Sequence, residues 1–159
     1  MATLILRPVS DESLNHSCSS GSSGYAMISE SSADDDSTYI YQSVTDRTST
    51  SETSSFTLGG TMPSGQFKIT KATLYVRGRS TGEYTYSGTY KLSIDSSASS
   101  MSLSTSYQTS SSTGVATSLI NNTYTSSNFP SLSVAITTTG KKSSTKDDDF
   151  QIRVTQVYL

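Results

Sequence analysis

The sequence predicts an all-β protein: a single antiparallel β-sandwich, jelly-roll-like, with about eight or nine strands in one domain over residues 1–159. Three observations carry this expectation. Ser and Thr make up about 38% of the chain, where ordinary globular sequences are led by Leu, Ala and Gly. Both compete with the helix for backbone hydrogen bonds, and β-branched Thr fits a pleated surface, so the composition favours sheet. Apolar residues recur with period two at several places, whereas no stretch of helical period reaches a convincing length. Short Ser-rich turns punctuate these stretches at the spacing of sandwiches and barrels.

In chain order, Thr3 to Leu6 is a short opening strand closed by Arg7-Pro8, followed by Tyr39 to Val44 and Ser54 to Leu58. From Phe67 to Arg77 the apolar phase changes. Phe67 and Ile69 lie on odd positions and Ala72, Leu74 and Val76 on even ones, so one strand with a bulge or bend near Thr70-Lys71 is expected. Tyr90 to Asp95 alternates cleanly after Gly88, Met101 to Tyr107 does so less cleanly, and Leu132 to Thr137 alternates after Pro130. The closing Phe150 to Thr155 points Phe150, Ile152 and Val154 inward; Val157 and Leu159 then break the phase, which calls for a bulge or cover on both faces. The stretches Ser17 to Ser23, Ser31 to Ser37, Thr48 to Ser55, Ser96 to Ser100, Ser110 to Thr113 and Ser143 to Thr145 read as loops. With strands expected almost from Met1 to Leu159, both ends are expected to belong to the fold.

Charge and cysteine content exclude several classes. A formal net charge of −2 and a pI near 5.2, with no local basic stripe, give no attraction to a polyanion, so no nucleic-acid partner is expected. One cysteine, Cys18, leaves no disulfide framework and no thiolate-rich zinc site. The apolar run Leu4-Ile5-Leu6 is too short for a signal-peptide core or a membrane span, so neither export by a standard signal nor a membrane contact is expected.

Few residues offer chemistry. His16 and Cys18 are neighbours, but a thiolate needs positive charge beside it and the nearest charges are Asp11 and Glu12. Gly21-Ser22-Ser23-Gly24 lacks the spacing of a nucleophile elbow. Thr139-Gly140-Lys141-Lys142-Ser143 lacks the first glycine of a phosphate loop, Ala135 standing in its place. Lys141, Lys142 and Lys146 read as the basic side of a hairpin whose other side is Asp147, Asp148 and Asp149. That triplet and Asp34, Asp35 and Asp36 each precede a strand and are the candidates for calcium, although the ligand spacing and glycine of an EF-hand loop are missing. Paired carboxylates for glycoside hydrolysis find no tryptophan to line a sugar subsite. Neither a catalytic set, a cofactor nor a firm metal site is expected.

Tyrosine stands out, with ten copies against four Phe. Exposed Tyr beside Ser suits protein or glycan contact, so Tyr84, Tyr86, Tyr39, Tyr41 and Tyr124 are the interface candidates, with Tyr84-Thr85-Tyr86 foremost. The plainer alternative is that Tyr replaces Phe at the sandwich rim with its hydroxyl in water.

Four stretches together resemble a recurring type of tailed-bacteriophage virion protein. They are Leu4 to Asp11, Asp34-Asp35-Asp36-Ser37-Thr38-Tyr39-Ile40, Phe67 to Arg79 and the closing Gln151 to Leu159. The resemblance spans nearly the whole chain and brings no active-site residues. It implies a non-enzymatic structural subunit of the virion, such as a capsid decoration, head-fibre, neck or tail accessory protein, made in the bacterial host cytoplasm. Its partners would be other virion proteins and copies of itself. A receptor- or glycan-binding module meeting host-surface glycan is the alternative.

Overall fold

The computed structural model describes residues 2–113, 115–144 and 147–159. In chain order the elements are β1 (Arg7–Ser13), β2 (Ser17–Cys18), α1 (Gly24–Ile28), β3 (Ile40–Val44), β4 (Thr50–Gly59), β5 (Phe67–Lys68), β6 (Leu74–Ser80), β7 (Thr85–Leu92), β8 (Ser99–Ser100), β9 (Gln108–Ser112), β10 (Thr123–Tyr124), β11 (Leu132–Lys141) and β12 (Phe150–Tyr158), with one 3-10 turn at Thr117–Leu119. Eight of the strands have five residues or more and four have two, so the long strands match the expected number and the short ones are additions.

Two five-stranded antiparallel sheets form the sandwich: sheet I, ordered β1-β4-β11-β7-β8, and sheet II, ordered β2-β3-β12-β6-β9. Each long strand hands the chain to the opposite sheet, so no two long strands are joined as a hairpin. The basic and acidic loop before β12 is therefore a crossing between sheets, not the hairpin expected from the sequence; Lys146 and Thr145 lie outside the described residues.

Period-two alternation dictates the layering. Along β11 the residues Leu132, Val134 and Ile136 are buried while Ser133, Ala135 and Thr137 face outward. Most of the core lies between the sheets, built from Ile40, Phe56, Leu74, Val76, Tyr90, Leu92, Val134, Ile136, Val154 and Val157 among others. A smaller cluster of Val44, Phe150 and Ile152 fills one end. The Ser/Thr excess has a place: the outer face of sheet I is largely hydroxyl, and cross-strand pairs such as Ser51 with Thr139 (2.7 Å) and Thr53 with Thr137 (2.8 Å) are hydrogen-bonded.

Several expected elements differ. Phe67 to Arg77 is two elements: Phe67 leaves to pair with β10 and to pack on Tyr124 and Phe129, while β6 starts at Leu74 in sheet II. The chain does bend where the phase changes. Thr3 to Leu6 is not a strand; the first strand is β1, although Leu6 exchanges both backbone bonds with Leu159. Met101 to Tyr107 is irregular, and the Ser-rich stretch after it is β9; Thr48 to Ser55 likewise belongs largely to β4. Ser and Thr pair in a ladder as readily as they turn, and composition does not separate the two. The predicted strand at Tyr90 begins earlier, at Thr85, and ends at Leu92. At the end of the chain the phase change is a bulge: the register against β6 slips between Val154 and Gln156, and Val154 to Val157 are all buried. No helix among the described residues is long and apolar enough to cross a membrane.

Candidate functional site

The outer face of sheet II carries what the sequence concealed, a cluster of arginines. In β6 the buried Leu74, Val76 and Gly78 alternate with outward Tyr75, Arg77 and Arg79. Arg79 is the direct cross-strand partner of Arg153 in β12. Like charges in register repel, so an anion is needed between them.

Residues 34–36 supply it. Asp35 accepts from Arg77 Nε (2.7 Å) and Nη2 (2.8 Å) in a two-point fork. Asp36 Oδ1 accepts from Arg79 Nη2 (2.8 Å) and Arg153 Nη1 (2.7 Å). The Arg77 hydrogen bonds hold the Asp35 carboxyl below the usual carboxylate range, and the Arg77 guanidinium is raised in return. Two tyrosines complete the platform. Tyr107 lies 5.5 Å from Arg77 and 4.9 Å from Arg79, and Tyr39 lies 4.3 Å from Arg153 (guanidinium carbon to ring centre), all within cation–π range. The Tyr107 hydroxyl donates to the Asp35 carbonyl (2.8 Å), with Asp36 Oδ1 the more distant acceptor at 3.3 Å; burial and the Asp36 charge push its pKa up to about 12. Farther along the face Tyr75 and Tyr158 stack at 4.7 Å, with Arg7 over the Tyr158 ring.

The segment that brings the aspartates runs from Ser29 to Tyr39 and is tied down at both ends. At one end the Glu30 carbonyl accepts from Gln156 Nε2 (2.9 Å) and Arg7 Nε (3.2 Å). At the other, the Thr38 carbonyl accepts from the hydroxyl of Thr155, the residue at the β12 bulge (2.9 Å). Thr38 Oγ1 in turn donates to Glu30 Oε1 (2.6 Å), drawing the two ends together. The tip reaches its place through Asp35, held at a φ of 53°, a conformation that Asp tolerates better than most residues.

Compared with known proteins, the chain matches no family model, no curated protein and no solved structure.

The expected site residues separate into different surroundings. Tyr39 and Tyr41 are edge-on neighbours at 5.8 Å, and Tyr39 belongs to the platform. Tyr84 and Tyr86 are half-buried and pack on Phe150 at 5.5 and 6.5 Å, as rim substitutes for Phe in the small core cluster. Tyr124 packs on Phe67 and Phe129 beside the main core. The acidic triplets do not gather oxygens around a point. Asp34 accepts from the Thr38 backbone N–H, Asp35 and Asp36 face arginines, Asp147 accepts from the Ser144 backbone and hydroxyl, and Asp149 meets Lys142 Nζ at 2.8 Å. Asp148 is exposed. Among the described residues no group of three or more His, Cys, Asp or Glu side chains is placed to hold a metal ion.

His16, in the loop between β1 and β2, is 3% exposed and holds the centre of a buried polar layer. Ser54 Oγ accepts from the backbone N–H of Asn15 (2.9 Å) and His16 (3.0 Å), so its own proton goes to His16 Nδ1 (2.8 Å). Thr138 donates its proton to Gln42 Oε1 (2.8 Å), so it accepts from His16 Nε2–H (2.9 Å). Gln42 Nε2 donates on to the Thr50 carbonyl (2.9 Å). Every proton in the chain is assigned, and the imidazole is neutral; burial pulls its pKa down to about 4. Ser54 beside a histidine has the look of a nucleophile pair, but its lone pairs are taken by backbone amides and it is fully buried. Cys18 is half-buried, and burial together with the Asp11 charge pushes its thiol up, away from the reactive form.

Proposed function

We propose that this chain is a non-enzymatic structural subunit of a bacteriophage particle, a decoration, head-fibre, neck or tail accessory protein, which acts through protein–protein contacts. One observation carries the reading. The imidazole of His16 is buried and hydrogen-bonded at both nitrogens, while the outer face of sheet II gathers Arg and Tyr, the side chains that dominate the energetics of protein interfaces. Two surface depressions are open: one of about 410 Å³ bordered by Thr3, Leu4, Ile5, Arg7 and Gly59 to Thr61, the other of about 280 Å³ around Ala135 on the hydroxyl face. Neither has the convergent, water-excluding lining of a substrate site. The phage setting rests on the sequence resemblance.

The test is removal of the gene from its source genome, followed by particle purification. A structural subunit is present in wild-type particles at a fixed stoichiometry, and its loss lowers their stability or strips a neighbouring protein. Particles that never contain the chain, and whose composition is unchanged without it, would sink the reading.

A further inference from the structure

We propose that the arginine–tyrosine platform on sheet II is a docking site for an acidic segment of a partner protein, and that Asp35 and Asp36 fill it in cis until the partner displaces them. This rests on the reading of the chain as a contact-making subunit and adds which surface makes the contact and with what chemistry.

Four features lead there. The arginines stand on paired sheet strands, and their guanidinium carbons lie 4.3 to 5.5 Å from the ring centres of Tyr39 and Tyr107, contacts made without the aspartate carboxylates. Their counterion is the outermost part of the arrangement. The Arg77, Arg79 and Arg153 side chains are 25%, 23% and 18% exposed, whereas Asp35 is 36% and Asp36 59% exposed. A carboxylate so placed can be exchanged from the solvent side without opening the sheet, and an ion pair to so exposed a carboxylate holds only weakly. Third, the segment's anchors do not depend on its tip. Gln156 and Arg7 hold Glu30, and Thr155 holds Thr38, so Asp35 and Asp36 can let go while the loop base stays fixed. Fourth, the platform has donor capacity left over: Arg79 Nε is buried and has no hydrogen-bond partner.

The site presents three cations, Arg77 and Arg79 along β6 and Arg153 beside Arg79 on β12, with aromatic flanks, a pattern that suits two or more carboxylates of a peptide. A tethered internal ligand competes at a high effective concentration, so wild-type affinity for such a peptide is low and rises when the tether's charges are removed.

The probe is a synthetic hexapeptide of four aspartates flanked by glycines, titrated into isotopically labelled protein and followed by amide NMR. The wild type is expected to show saturable shifts confined to residues 34–39, 77–79, 107 and 153. In Asp35→Asn/Asp36→Asn the affinity is expected to rise roughly tenfold, and in Arg79→Gln/Arg153→Gln binding is expected to vanish. Both effects shrink with added salt. If the double Asn variant does not fold, the wild-type titration and the Arg variant decide. No saturable shift in the wild type, and no gain in a folded Asn variant, overturns the proposal; so does sulfate binding as tightly as the peptide at equal ionic strength. Either failure leaves the particle-composition test untouched, so a wrong docking surface and a wrong functional reading are told apart.

Discussion

The buried imidazole of His16 ties protonation to stability. Its pKa is about 4 in the folded chain against 6.5 when free, so the unfolded state binds more protons between those values and stability falls as the pH drops through that window. A shift of this size corresponds to about 3 kcal/mol lost between pH 6.5 and 4. The half-buried Glu52 carboxyl, raised by desolvation, works in the opposite sense, since its contribution is present at low pH and lost as the pH rises through its raised pKa. Asp35, lowered by Arg77, gives way at more acid pH than His16. Urea denaturation at stepped pH on the wild type and His16→Asn separates the terms: the acid limb between pH 6.5 and 4 flattens in the variant. An imidazole resonance titrating near 6.5 in the folded protein would contradict the assignment. Ser54→Ala tests the other end of the chain of bonds. It leaves the buried His16 amide and Nδ1 without their partner and frees the part-buried Asn15 amide, with an expected cost of about 3 kcal/mol in the same denaturation experiment.

At the scale of elements, the strands legible in the sequence were those with one wet face. Leu132 to Thr137 and Phe150 to Thr155 alternate because β11 and β12 run through the centres of their sheets with one side in the core. In β9 Ser and Thr fill both faces, and nothing in QTSSS tells a paired edge from a loop. The polar layer was hidden for a different reason. Gln42 shares the inward positions of β3 with Ile40 and Val44, and Thr138 those of β11 with Ile136 and Gly140, so alternation turns both inward but names no partner for either polar side chain. Only the fold brings His16 across to Ser54 and Thr138, 38 and 122 residues away. The arginine triad left a faint signal in Tyr75-x-Arg77-x-Arg79 on the outward positions of β6, but Arg153 and the aspartates are long-range partners. Where β11 passes under Val44, glycine is required: a Cβ at Gly140 would overlap the Val44 side chain and also press on Ile152. Gly140→Ala is expected to destabilise by about 1–3 kcal/mol, measured as a lower urea midpoint with an unchanged slope.

For the whole molecule, the alternation of long strands between sheets has a kinetic and a thermodynamic consequence. No pair of long strands forms a local hairpin, so neither sheet can assemble without the other, and nearly all pairings close long loops. Folding is expected to be slow for the chain's size, in the millisecond-to-second range typical of sandwiches. The same interleaving makes the two apolar clusters one cooperative unit, although a polar layer divides them, because β3, β11 and β12 each cross that layer. Ile136→Ala in the large cluster and Ile152→Ala in the small one are each expected to cost roughly 2–5 kcal/mol. In both variants far-ultraviolet dichroism and tyrosine fluorescence should lose signal together in one transition. If Ile152→Ala instead split the melt, with the end around Val44, Phe150 and Ile152 opening first, the polar layer would be a boundary between separate folding units. A single shifted transition in both places it inside one domain, as a fixed seam that sets the two sheets in register.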